Sequence, residues 1–249
     1  MRIPQLKNLL KDFDKNIIYD QDLKKKNWFN IGGKSKVFYK ADSLKDLTKF
    51  LKKLNNKEKI FVLGAGSNTL ISDKFFDGVV IKLAKNFNNL SLLKENIIIA
   101  GSAVLDKFLS DFAMRNNLSG FEFLSCIPGT VGGGIKMNAG CFGNEFKDIL
   151  VSIQAIDKFG NIIVIPKKDF NFQYRKSNLN EDLIFLSASF KGEKGDFVKI
   201  KEETNRLKIK KEISQPTQIK TSGSTFKNPV GQSDKKVWQL IKESVPLKK

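Results

Sequence analysis

Apolar positions recur along this chain with two different periods. Leu44, Leu47, Leu51 and Leu54 follow one another at three- and four-residue steps, which predicts a helix over 43–54. Ser43, with Asp46 three residues on, suits its N-cap. Leu105, Phe108, Leu109 and Phe112 predict a second helix over 104–116. A lysine-rich helix is expected over 197–213, ended by Gln215-Pro216, and a short amphipathic one over 235–244. Compact apolar runs at 37–41, 60–63, 79–83, 97–100 and 183–190 read as strands, and 149–155 with 161–165 form a hairpin around Asp157-Lys158-Phe159-Gly160. The first 20 residues read as a polar helical lead-in. Between 120 and 143 both periods fail and glycine takes over. A stretch that long without regular pattern inside a compact chain is usually functional.

Composition narrows the chemistry. The 249 residues suffice for one large domain or two to three small ones, and 41% hydrophobic with 28% charged residues is ordinary for a globular protein. The formal charge is +18, but only four of the 44 basic residues are arginines, and the lysines are scattered. Nucleic-acid faces use the planar arginine fork, so this pattern reads as a solvated lysine surface with no nucleic-acid partner. The surplus still favours an anionic ligand. The lysine-broken N-terminus lacks a secretory pattern, and no apolar run approaches the roughly 20 residues of a membrane span. A cytoplasmic protein with no membrane partner is expected. With no histidine and two cysteines, imidazole triads, zinc fingers and HExxH sites are excluded, and no metal is expected. Cys126 and Cys141 read as small core residues in a reducing compartment. Chemistry must then come from a borrowed cofactor or from Ser, Arg, Lys, Asp, Glu and Tyr.

Two glycine clusters are candidates for that cofactor. Gly64-Ala65-Gly66-Ser67-Asn68 follows a strand, where backbone N–H groups can approach a diphosphate. Thr69 stands where a dinucleotide fingerprint has its third glycine, and Asp77-Gly78 comes too soon for the following helix, which argues against a Rossmann unit. Ile127 to Gly134 (IPGTVGGG) offers many N–H donors and a hydroxyl, and Asn138-Ala139-Gly140 extends the same small-residue surface. Arg175, retained in a lysine-biased chain, suits bidentate carboxylate recognition. Ser224, in the turn Gly223 to Pro229, has no histidine to activate it and suits a positioned proton donor.

Asn27 to Gly33, Leu63 to Asn68, Gly120 to Phe123 running into Ile127 to Gly134, Met137 to Gly140, Tyr174-Arg175 and Gly223 to Pro229 together resemble, in order and spacing, the UDP-N-acetylenolpyruvoylglucosamine reductase family over almost the whole chain. The resemblance implies an α+β, vanillyl-alcohol-oxidase-like (PCMH-type) FAD-binding fold. Two α+β subdomains, 1–85 and 86–197, would clasp FAD, with 198–249 as the start of a third, substrate-binding domain. The lack of an insertion between Tyr174 and Gly223 matches the shorter subtype. By resemblance, Gly64, Ala65, Gly66, Ser67, Asn68, Pro128, Gly129, Thr130, Gly132, Gly133, Asn138 and Gly140 bind FAD, Tyr174 and Asn228 the substrate. The implied reaction is reduction of FAD by NADPH, then hydride transfer to C3 of a UDP-sugar enolpyruvyl ether. Arg175 stabilises the developing charge through the carboxylate, and Ser224 protonates C2. Family members continue past the segment of Trp238, Leu240 and Ile241 to a glutamate with no counterpart here. The expectation is therefore a C-terminally truncated member that binds FAD with impaired turnover. The competing readings are another PCMH-type flavin oxidoreductase, against which the Gly223 turn argues, and a basic nucleic-acid binder.

Overall fold

Helix α1 (Ile3–Leu10) and the 3-10 turn Lys11–Asn16 lead into strand β1 (Ile17–Asp22), which pairs antiparallel with β2 (Lys34–Ala41). The description rests on a computed structural model and covers residues 1–215, 226–229 and 231–244. β1 replaces part of the polar lead-in read from the sequence. Ile17 and Tyr19 turn toward the core, while Ile18 and Asp20 point out, so pairing with β2 turns a short mixed run into a half-buried strand.

Helix α2 (Leu44–Leu54) then crosses over to β3 (Lys59–Val62), and β4 (Phe76–Leu83) inserts between β2 and β3, parallel to both, giving the order β1-β2-β4-β3. α2 starts where the pattern requires it: the Ser43 side chain accepts from the Asp46 N–H at 3.1 Å. Its Leu47, Phe50, Leu51 and Leu54 are buried with Leu6 and Leu10 of α1, and Phe50 stacks on Tyr39 with ring centroids 3.9 Å apart.

The second sheet is antiparallel throughout, with order β11-β10-β12-β6-β5. Its strands are β5 (Leu90–Leu93), β6 (Ile97–Gly101), β10 (Leu150–Ile156), β11 (Ile162–Pro166) and β12 (Ile184–Lys191). Between β6 and β10 lie α3 (Asp106–Arg115), the short strand β7 (Leu118–Ser119), α4 (Val131–Lys136), the hairpin β8 (Gly140–Cys141) and β9 (Asn144–Glu145), and α5 (Phe146–Ile149). After β12 come β13 (Glu193–Lys194), which pairs with β7, then α6 (Phe197–Ser214) and α7 (Val237–Ser244).

One core under this sheet collects Leu109 of α3, Ile135 of α4, Phe146 of α5 and Leu207 of α6. Ile156, Ile184 and Leu186 instead join the first sheet's core, so the two sheets share a seam of packed side chains. That seam brings the loop after β3 face to face with the loop before α4.

Candidate cofactor and substrate cleft

The loop Gly64 to Asn68 leaves β3 where Leu63 N–H donates to Ile81 O at 2.9 Å. Two neighbours set its shape. Gly66 has φ +70°, and a Cβ there would lie 2.3 Å from the Lys26 carbonyl oxygen, so only glycine fits. Gly66 O in turn accepts from Trp28 N–H at 3.0 Å, tying the loop to the Asn27–Gly33 segment. On the other side, Lys82 Nζ donates to Gly64 O at 2.9 Å. Burial, reinforced by Lys26 and Lys40, lowers the Lys82 ammonium's pKa. Three lysines thus gather at the foot of the loop.

The second cluster comes from the opposite sheet. A Cβ on Gly64 would lie 2.5 Å from Thr130 Oγ1, so the two glycine loops touch despite 66 residues of separation. Sequence reasoning expected many N–H groups of Ile127–Gly134 to be open to a ligand; the structure engages several of them internally. Val131 N–H donates to Val104 O and Gly132 N–H to Ser102 O, each at 2.9 Å, and Gly134 N–H to Thr130 O at 2.8 Å. The amides of Gly129, Thr130 and Gly133 find no acceptor among the described residues. Close protein packing, too, explains several glycines. A Cβ at Gly134 would sit 2.2 Å from Phe146, at Gly132 3.0 Å from Ser102, and at Gly129 2.6 Å from Asp106 Oδ2. Gly133 differs: its nearest neighbour would be Thr130 Oγ1 at an ordinary 3.5 Å, and it faces the cleft.

That cleft has a volume of about 1790 Å³, larger than the roughly 300–1,000 Å³ of a single small-molecule pocket. Ten lysine and arginine side chains line it against four carboxyl groups among the described residues. Gly64, Ala65, Gly66, Ser67, Asn68, Pro128, Gly129, Thr130, Gly132, Gly133, Gly140, Tyr174, Arg175 and Asn228 all line it. Asn138 does not. Its side chain is fully buried, donating to Glu145 Oε2 at 2.9 Å and Gln173 O at 3.1 Å and accepting from Lys147 N–H at 3.1 Å. It is a knot behind the wall, holding the segment that leads to Arg175. Ser224 lies outside the described residues.

Arg175 is held from behind. Its guanidinium donates to Gly140 O at 2.8 Å and Asn138 O at 3.4 Å, lies 3.7 Å from Glu145, and rests on the Tyr174 ring. Asn228 Oδ1 accepts from Val237 N–H at 3.2 Å, so that residue also anchors the start of α7. Sequence reasoning missed Lys82, Ser102 and Asp106. Ser102 and Asp106 line the cleft, and Ser102 Oγ and both Asp106 carboxyl oxygens are buried with no hydrogen-bond partner among the described residues. Burial raises the Asp106 pKa well above its ordinary value. A lysine inside the apolar run Val79–Leu83 was the legible signal for Lys82; nothing local marked the other two. No group of three or more His, Cys, Asp or Glu among the described residues is placed to hold a metal ion. No described helix is long and apolar enough to cross a membrane.

This arrangement, two glycine loops from two α+β sheets facing one cation-lined cleft, is that of the PCMH-type FAD-binding fold. Residues 35–165 match an FAD binding domain family. A solved structure of p-cresol methylhydroxylase shares the fold, with TM-score 0.54 and 16% identity over 78% of this chain and 43% of that one. More specifically, the chain is 62% identical over 247 residues to a UDP-N-acetylenolpyruvoylglucosamine reductase of Pelagibacter ubique, covering 99% of this chain and 82% of that protein. A crystal structure of the UDP-N-acetylenolpyruvylglucosamine reductase from Thermus caldophilus superposes with TM-score 0.78 at 29% identity, over 92% of this chain and 79% of that one. The chain belongs to the UDP-N-acetylenolpyruvoylglucosamine reductase family.

Proposed function

We propose that this protein is an oxidoreductase that binds FAD in the cleft and reduces UDP-N-acetylenolpyruvoylglucosamine to UDP-N-acetylmuramate with NADPH as donor. This would be a step of peptidoglycan precursor synthesis, placed in the cytoplasm where nucleotide sugars and NADPH are made. The contact between Gly64 and Thr130 carries the reading, since it aims two glycine loops at one cation-lined space. The residues fit FAD. The amides of Gly129, Thr130 and Gly133 find no acceptor among the described residues, the Gly64 loop stands over Lys82, and Ser102 and Asp106 present buried polar atoms that a polar ligand would satisfy. FAD, when bound, supplies hydride transfer that no side chain here can perform. Residues 1–85 and 86–197 are proposed as the two FAD subdomains and 198–249 as part of the substrate domain.

The chain's own groups then position and protonate. The enolpyruvyl carboxylate gains negative charge as C3 is reduced, and a guanidinium fixed by two backbone carbonyls stabilises it without having to reorganise. Arg175 takes that role, with Tyr174 beneath it. Ser224 is proposed to give its proton to C2, a transfer that a weakly acidic hydroxyl makes only to a strongly basic carbon. Asn228 and the surplus lysines suit the diphosphate of the UDP group. The test is anaerobic: load the chain with FAD, bleach it with NADPH, then add the enolpyruvyl substrate. Reoxidation of the flavin together with UDP-N-acetylmuramate formation is the expected outcome. Bleaching without reoxidation is the outcome expected of a family member that binds FAD with impaired turnover, and absence of FAD binding would sink the whole reading.

A further inference from the structure

Two thiols meet on the cleft wall near Arg175, and nothing in the proposed reaction uses them. Cys126 ends the 3-10 turn Glu122–Cys126, and β8, which carries Cys141, packs on that turn. Both residues belong to one apolar cluster, both line the cleft, and neither is in a disulfide. The two thiols stand close enough to perturb each other, and Ser125 Oγ lies 3.7 Å from Cys126 Sγ. The neighbouring Cys141 thiol, helped by Ser125 and the ammoniums of Lys211 and Lys208, outweighs burial and lowers the Cys126 thiol below its ordinary value. Its neighbour Cys126 and burial push Cys141 up. A low-pKa sulfur beside a protonated one is the pairing in which one attacks and the other resolves. The sequence, with 14 residues between the pair, suggested only small core residues.

We propose that Cys126 and Cys141 form a redox-sensitive dithiol, oxidised by hydrogen peroxide to a disulfide on the cleft wall beside Arg175. The Cys126 thiolate attacks one peroxide oxygen, the O–O bond breaks, and hydroxide leaves to be protonated to water. Cys126 is then a sulfenic acid. The Cys141 sulfur attacks Cys126 Sγ, the S–O bond breaks, and hydroxide leaves with the Cys141 proton as a second water. The two sulfurs have lost two electrons and peroxide has gained them. The bridge forms one residue from Gly140, whose carbonyl holds the Arg175 guanidinium, so oxidation displaces the group that positions substrate.

The test treats the whole chain with a few equivalents of peroxide, alkylates the remaining thiols and maps peptides without reductant. The expected product joins the Cys126 and Cys141 peptides, two hydrogens lighter than their sum, and dithiothreitol reverses it. In Cys141→Ser the reaction is expected to stop at a Cys126 sulfenic acid, captured by dimedone. Two thiols still alkylatable after excess peroxide, or a wild-type Cys126 that proceeds to sulfinic acid without a bridge, would overturn the proposal. A second arm rests on the proposed function: turnover of the oxidised chain falls by about tenfold to a hundredfold and returns with dithiothreitol. Peroxide leaves the Cys126→Ser chain at its own untreated rate. A bridge that forms in a chain that neither binds FAD nor turns over substrate would refute the function and leave the dithiol standing.

Discussion

Gly133 and Gly134 are neighbours in α4 whose replacement by alanine should act in opposite directions. At Gly134 the new methyl would sit 2.2 Å from Cε2 and 2.4 Å from Cζ of Phe146, a fully buried ring packed against Phe123 and Phe190. The ring cannot leave without opening the core, so the expected loss is about 1–3 kcal/mol of overpacking strain. That corresponds to roughly 2–4 °C of melting temperature per kcal/mol for a chain of this size. At Gly133 the methyl would meet only Thr130 Oγ1 at 3.5 Å. The backbone there is helical, and exchanging glycine for alanine in a helix gains about 0.5–1 kcal/mol. The Gly133 methyl points into the cleft, however, where it would push a diphosphate away from the amides of Gly129, Thr130 and Gly133. Losing one charge-assisted hydrogen bond is worth about 1.5–3 kcal/mol, or roughly ten- to a hundredfold in FAD affinity. Urea unfolding of the FAD-free chain measures the first quantity and flavin fluorescence titration the second. Gly134→Ala should unfold earlier, and Gly133→Ala should be at least as stable as the parent but bind FAD weakly. Equal destabilisation of both, or parental FAD affinity in Gly133→Ala, would refute this division of the glycine cluster.

Three further outcomes are expected. Asp106 is a buried acid whose pKa is raised by desolvation, so the native state keeps a proton that the unfolded chain releases above about pH 4. Wild-type stability therefore falls as pH rises from there, by about 1.4 kcal/mol for each unit of native shift passed, while Asp106→Asn has no such loss. The variant's advantage in melting temperature should be absent at pH 3.5 and present at pH 7.5; a difference independent of pH counts against the buried neutral acid. Lys82→Met removes the ammonium at Gly64 O and should lower FAD affinity by about tenfold, with a shallower salt dependence, while riboflavin, which lacks the diphosphate, binds as before. An equal loss for riboflavin would mean that only the loop's shape was damaged. Arg175→Lys cannot keep both the Gly140 and Asn138 carbonyls in a planar fork, so kcat/KM for the enolpyruvyl substrate should fall by about tenfold or more with FAD affinity intact. Parallel losses of FAD affinity and turnover would make Arg175 a structural residue.

Much of the secondary structure was legible in the chain because it depends on residues a few positions apart. The leucines of α2 and its Ser43 cap, the hairpin of β10 and β11 around Gly160, and the breaker after α6 all follow from local spacing and backbone preference. Elements whose stability comes from elsewhere were not legible. β1 is a short mixed run until β2 pairs with it, and α4, with three glycines in its six residues, has almost no helical propensity. Backbone bonds to Ser102 and Val104 and packing on Phe146 hold α4 in place.

The candidate site divides in the same way. The sequence alone determined where the glycine clusters lie, that histidine is absent, and which family the motifs resemble, and it offered Arg175 and Ser224 as candidates. Those conclusions need only residue types and their order. The tertiary structure decided that the two clusters face each other, which glycines are closed in by packing and which border the cleft, that Asn138 stands behind the wall, and that Lys82, Asp106 and the two thiols line the cleft. Each of these turns on a distance between residues far apart in sequence, such as Gly64 to Thr130 or Lys82 to Gly64. Such distances are set by how the two sheets pack along their shared seam, and no local preference encodes them.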